Sequence, residues 1–179
     1  MYLKNQKFAV YLLCAGFKIN KIMIAIKSIR LLHLISYLLV TSQVLFYLFI
    51  LSDALKAVSL ENYFEQRKII DSLMITRFKA MYYSCLALSI VAVIISVRQP
   101  TSLFFVSSAI ALILLSIDLI ITVKGSLPLN ALSHSYGAAT DNVNWENVRI
   151  QWLSYMKYRG IAITMGMISL LAGLVFDKK

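Results

Sequence analysis

Four stretches of this chain are almost unbroken hydrocarbon, and nearly all of its charge lies outside them. They run from about Leu31 to Ala54, Ala80 to Val97, Ser102 to Val123 and Tyr158 to Val175, each close to the ~20 residues a helix needs to cross a bilayer. In hydrocarbon every backbone polar group must be satisfied within its own segment, which a helix does. The pattern predicts an all-α membrane protein: a four-transmembrane-helix bundle over 31–179, preceded by a basic segment at 1–30. Only Arg98 to Thr101 separates the second and third spans, so these are antiparallel neighbours. Ala162 and Gly166 stand four apart in the fourth span, a spacing that lets another helix approach closely.

The connections carry patterns of their own. Over 55–79, Leu60, Phe64, Ile70 and Met74 share one side of a helix and Glu61, Glu65 and Lys68 another, which predicts a short amphipathic helix over the end of the bundle. Arg67 and Asp71 fall on its apolar side, where at i, i+4 they can pair. Glu61 and Glu65 read as a solvated face and not as an acid/base couple. In the third connection Pro128 predicts a helix stop, with Asn130 turning its amide onto the freed backbone groups. Asp141, Asn142 and Asn144 are candidate N-caps for a helix that starts near Trp145 and extends into the fourth span. Along it Trp145, Arg149, Trp152, Met156 and Arg159 recur at steps of 4, 3, 4 and 3, hence on one face. That stripe is expected to face the bundle. With the arginines stacked on indoles or bonded to the Pro128–Asn130 turn, Pro128–Arg159 becomes a lid.

Composition agrees with a membrane setting: 60% of residues are hydrophobic and 15% charged, with a mean hydropathy of +0.77, where soluble domains carry about 25% charge. The net charge of +10 has no nucleic-acid reading module beside it, so it is assigned to lipid head groups and not to nucleic acid. Residues 1–30 hold Lys4, Lys7, Lys18, Lys21, Lys27 and Arg30 with no acid, around an apolar run, Phe8–Gly16, too short to cross. This reads as a cytoplasmic basic segment or a surface-lying helix, and Met23 is an alternative start. Four spans return the chain to the side on which it began. The positive density ahead of the first span puts both termini in the cytoplasm, and a signal-free, lysine-rich chain suits a bacterial inner membrane.

Few polar groups interrupt the spans. Gln43 lies mid-span and is expected to bond another helix as a structural contact. His33, at the start of the first span, reads as a head-group anchor, and Tyr82 and Tyr83 as an aromatic belt. Asp118 is the sharpest position, because a carboxylate in a spanning helix must be paired or protonated. Arg159 begins the fourth span at the same depth, so the two can form an ion pair; a functional carboxylate is the other reading. Cys14 and Cys85 make no disulfide framework and no CxxC. His33 and His134 stand alone and on opposite sides, so no metal site is expected, and neither a Gly-rich phosphate loop nor a Ser/His/Asp set is present.

Pro128–Leu129–Asn130, then Trp145, Arg149 and Trp152 with Arg159 at the end of the run, resembles the signature of the anthrone oxygenase-like family of small four-span membrane proteins. Glu61–Met74 ahead of the second span adds to the likeness, which covers about residues 31–175. The resemblance implies oxidation of an anthrone carbon to a quinone by molecular oxygen, without metal or flavin, hence no cofactor. Such chemistry needs a base and a clamp for the oxyanion. The likeness implies Asp118 or a loop carboxylate as base, and Asn130, Trp145, Arg149, Trp152 and Arg159 as clamps on a flat aromatic molecule. Where family members carry a polar His or Asn near the end of the stripe, this chain has Met156, which removes a proton-handling group.

Two readings follow. The first is a structural or interaction protein of the membrane in which Pro128–Arg159 is a packed lid, with Gln43, Pro128 and Gly166 as structural residues. The second is a small membrane oxygenase or a binder of a flat aromatic, quinone-like molecule; transport is a third. The bilayer is the expected partner throughout, and a homo-oligomer is compatible with the sequence. If Asp118, Asn130, Arg149 and Arg159 converge on an apolar-walled cavity, the second reading gains; if they satisfy one another without a void, the first does.

Overall fold

The computed structural model describes residues 2–137 and 143–176, with side chains from residue 23 onward. The side chain of Cys14, the candidate caps Asp141 and Asn142, and the terminal Asp177–Lys179 lie outside the described residues. The described chain is helical, with no strand. Helix α1 spans Tyr2–Phe46 and passes through a π-helical turn, Tyr47–Leu51, into α2, Ser52–Ala57. Then come α3, Leu60–Ser96, and α4, Leu103–Ile121. A second π-helical turn, Thr122–Ser126, joins α4 to α5, Leu127–His134, and α6 covers Trp145–Phe176. Among the described residues four helical stretches are long and apolar enough to cross a membrane: Met23–Ala57, Leu60–Ser96, Leu103–His134 and Trp145–Phe176.

The helices form a closed ring in which α1 packs on α3, α3 on α4, α4 on α6 and α6 back on α1. The short α3–α4 loop makes that pair antiparallel, as its length predicts. Gly166 explains one close approach. A β-carbon there would overlap the Tyr37 hydroxyl, which crosses α6 at this point to donate to the Ala111 carbonyl of α4 at 3.2 Å.

Helix α1 runs through residue 30 without a break, so the basic stretch and the first span share one helix. Two expectations are corrected. The amphipathic stretch after Ser59 is not a short separate helix but the first half of one long α3. The Ser59 side chain caps it by accepting from the Asn62 amide at 3.3 Å, and no Gly or Pro follows to end it before the loop. Pro128 does not stop its helix. It stands in the first turn of α5, where its missing N–H costs least, and the widened turn before it absorbs the change in register. Tyr155 of α6 lies against Gly125 in that turn, where a β-carbon would collide with the ring.

By length the helices exceed a bilayer: α3 has 37 residues, which at ~1.5 Å each reach ~55 Å, against ~30 Å of hydrocarbon. Two apolar clusters divide this length. One, near mid-bundle, gathers Tyr37, Val40, Cys85, Ala111, Leu115, Ile163 and Met167. The other, at the end away from the α3–α4 loop, gathers Leu55, Tyr63, Phe64, Val148, Trp152 and Met156. The second cluster forms a distal lobe from α2, the start of α3, α5 and the start of α6.

Candidate functional site

Between the two clusters lies a cavity of about 580 Å³, within the range of small-molecule sites. Its walls are largely apolar, with Met74, Phe78, Leu119, Ala131 and Met156 among them. Into it α1 contributes Gln43, the π-helical turn that follows contributes Tyr47, α3 contributes Arg67, Asp71 and Tyr82, α5 contributes Asn130 and His134, and α6 contributes Trp152 and Arg159.

Asn130 is the centre of one polar node. Its Oδ1 accepts from Arg67 Nη2 at 2.8 Å and from Trp152 Nε1 at 2.8 Å. Both partners are donors only, which fixes the orientation of the amide. This replaces the expected bonds to freed backbone groups; with the helix continuing through Pro128 there are none to satisfy. Arg67 is 3% exposed. Its Nη2 also meets Asp71 Oδ1 at 2.9 Å, which realises the i, i+4 pair, and its guanidinium carbon lies 4.0 Å from the Trp152 ring centroid. His134 Nε2 approaches Asp71 Oδ2 at 3.5 Å. Thus the arginine stacked on an indole comes from the first connection and not from the α6 stripe.

Arg159 is the centre of the other. Its Nε donates to Asp118 Oδ1 at 2.8 Å, its Nη2 to the Tyr82 hydroxyl at 2.9 Å, and its Nη1 to Met156 Sδ at 3.4 Å. The ion pair expected from the matching depths is present. Asp118 is fully buried and sits behind Arg159, away from the cavity wall. Met156 supplies apolar wall and a soft acceptor.

Three polar atoms at this cavity have no hydrogen-bond partner among the described residues: Arg67 Nε, Ser126 Oγ and Gln43 Oε1. Arg67 is nearly inaccessible, and so is Ser126 at 2% exposed. Gln43 therefore departs from expectation: the residue lines the cavity, and its carbonyl oxygen has no hydrogen-bond partner among the described residues. His33 departs as well. It is buried in the bundle, with Nε2 2.9 Å from Ser89 Oγ, and not placed as a head-group anchor. Among the described residues no group of His, Cys, Asp and Glu could hold a metal ion.

The rest of the stripe works elsewhere. Trp145 packs edge-on against Phe64 and Tyr136. Arg149 donates to the Val58 carbonyl at 2.9 Å and to both oxygens of Glu146 at 2.7 Å, tying the α2–α3 turn to α6. Asn144, of the three candidate caps, accepts from the Asn147 amide at 3.0 Å. The stripe thus divides: Trp152, Met156 and Arg159 line the cavity, while Trp145 and Arg149 fasten the lobe above it. Sequence reasoning missed Arg67, Tyr82 and Tyr47 as site residues. A basic residue on the apolar side of an amphipathic helix was the available signal for Arg67. No family model matches the chain, and no curated protein or solved structure matches it either.

Proposed function

We propose that the chain is an integral membrane protein that binds a flat, hydrophobic molecule bearing oxygen acceptors, a quinone- or phenol-like ring, in the cavity between its two clusters. One observation carries this: an apolar-walled space lined by polar side chains with buried atoms that no described residue satisfies. An unsatisfied buried donor or acceptor costs about 1–3 kcal/mol; Arg67 Nε and Ser126 Oγ can donate to a ring oxygen, and Gln43 Oε1 can accept from a phenol hydroxyl. Trp152 and Tyr47 offer ring faces, and Arg67 and Arg159 offer donors to carbonyl or phenol oxygen. The likeness to the anthrone oxygenase-like family supports the same class of ligand. An oxygenase step would call for a base at the wall, and Asp71 is better placed for that than Asp118. The charge pattern supports a bacterial inner membrane with both termini cytoplasmic and the distal lobe outside.

The reading of a packed lid without a ligand has this in its favour: Arg149 is hydrogen-bonded within the lobe and Asp118 is paired with Arg159, both away from the cavity wall. The two readings separate on purification. Solvent extraction of the detergent-purified protein, followed by absorbance and mass spectrometry, is expected to yield an aromatic lipid or quinone in near-stoichiometric amount. The Asn130→Ala and Arg67→Gln variants are expected to lose it while remaining folded. Wild-type protein that carries no such compound and takes up none when added would leave the lid reading.

A further inference from the structure

The cavity has an exposed apolar flank. Its rim includes Ile75 and Tyr83 of α3 on one side and Val123 and Leu127 of the α4–α5 stretch on the other. All four are exposed, Tyr83 at 65% and Val123 at 59%. Tyr83 and Val123 lie inside the apolar bands of their helices, whereas Ile75 and Leu127 lie just beyond Lys79 and Lys124. The rim therefore straddles the level at which a spanning helix passes from hydrocarbon to head groups, where lysines mark the boundary. Toward the lobe it is lined by exposed polar residues, Ser72, Lys79 and His134.

From this we infer that the ligand is a resident of the bilayer: an amphiphile with an oxygen-bearing ring head and a long apolar chain, which enters sideways between α3 and α4 and leaves its chain in the lipid. The inference rests on the binding function proposed above and narrows it. The head meets Arg67, Asn130, Ser126 and Gln43. A space of about 580 Å³ holds a ring system, and the exposed apolar rim gives the chain a way out past Tyr83 and Val123. Such a molecule already sits with its head at interface depth, and no step takes its chain through water.

The test uses full-length protein in nanodiscs carrying Trp145→Phe, so that Trp152 in the cavity wall is the sole tryptophan reporter. Two benzoquinone probes share one head, the first without a chain and the second with a long alkyl chain bearing a diazirine a few carbons from the ring. Binding is followed by quenching of Trp152, with concentrations expressed per lipid so that partitioning cancels. Both probes are expected to quench, and photolysis of the second to label Ile75, Tyr83, Val123 or Leu127. Val123→Phe, an exposed change that leaves the core untouched and adds no tryptophan, is expected to weaken the chain-bearing probe by ~10-fold or more and the short one by less than ~2-fold. Two results overturn lateral access while leaving the binding function standing: quenching with label scattered over the lipid-facing sides of all helices, or equal effects of Val123→Phe on both probes. Failure of both probes to quench Trp152 removes the binding function, and this inference with it.

Discussion

Asp118 and Asn130 show what one side chain decides here. A carboxylate with no exposure is tolerable because Arg159 reaches it with a charge-assisted bond of 2.8 Å, and breaking such a pair from one side is far worse than removing both partners. Arg159→Ala is expected to cost about 3–5 kcal/mol in a denaturation titration in mixed micelles. The double variant Asp118→Leu/Arg159→Met should recover most of it, and equal losses in the two would refute pairing as the cause. Asn130→Ala strips an acceptor from two buried donors at once and should cost about 1–3 kcal/mol, with a shift in Trp152 emission in the Trp145→Phe background. Asn130→Asp keeps the oxygen and should hold most of the stability. The Asp118–Arg159 pair was legible because both residues stand at the same depth in neighbouring spans. The Arg67–Asn130 bond was not, since 63 positions separate them and no helical period links one connection to another.

At the level of elements, periodicity worked where one face of a helix is buried along its length, as in α6. It failed at boundaries. A proline predicts a stop unless the helix widens just before it, and that widening depends on Tyr155 packing against Gly125 from another helix. Likewise Arg77 and Lys79 suggest the end of a connection, yet a long helix carries charge through an interface without breaking. Small residues were readable from spacing alone. Gly166→Ala would push a methyl onto the Tyr37 hydroxyl and is expected to destabilise by about 1–3 kcal/mol through overpacking. Tyr37→Phe in the same chain removes the clashing oxygen and should soften that loss; if the double variant is no better than the single, the contact is not what limits the packing there.

For the molecule as a whole, the four-span bundle was legible because hydrocarbon imposes length and continuity on each helix. The cavity was not, since a void is the space several helices leave, and no single helix encodes it. The proposed orientation is checked with single cysteines in a Cys14→Ser/Cys85→Ala background. A membrane-impermeant maleimide added to intact cells should label Ser135→Cys in the distal lobe and spare Gln99→Cys in the α3–α4 loop; the reverse pattern would invert the topology. The division into two apolar clusters has a further consequence. The helices α3 and α6 run through both, while the Asn130 node ties the elements of the lobe to one another, and a lobe knit within itself in this way can open as its own cooperative unit. Amide exchange in the first turns of α3 and α6 should therefore run ahead of exchange in their mid-bundle turns. A molecule seated in the cavity would bolt the two units together, so its arrival should slow exchange in the lobe far more than in the mid-bundle.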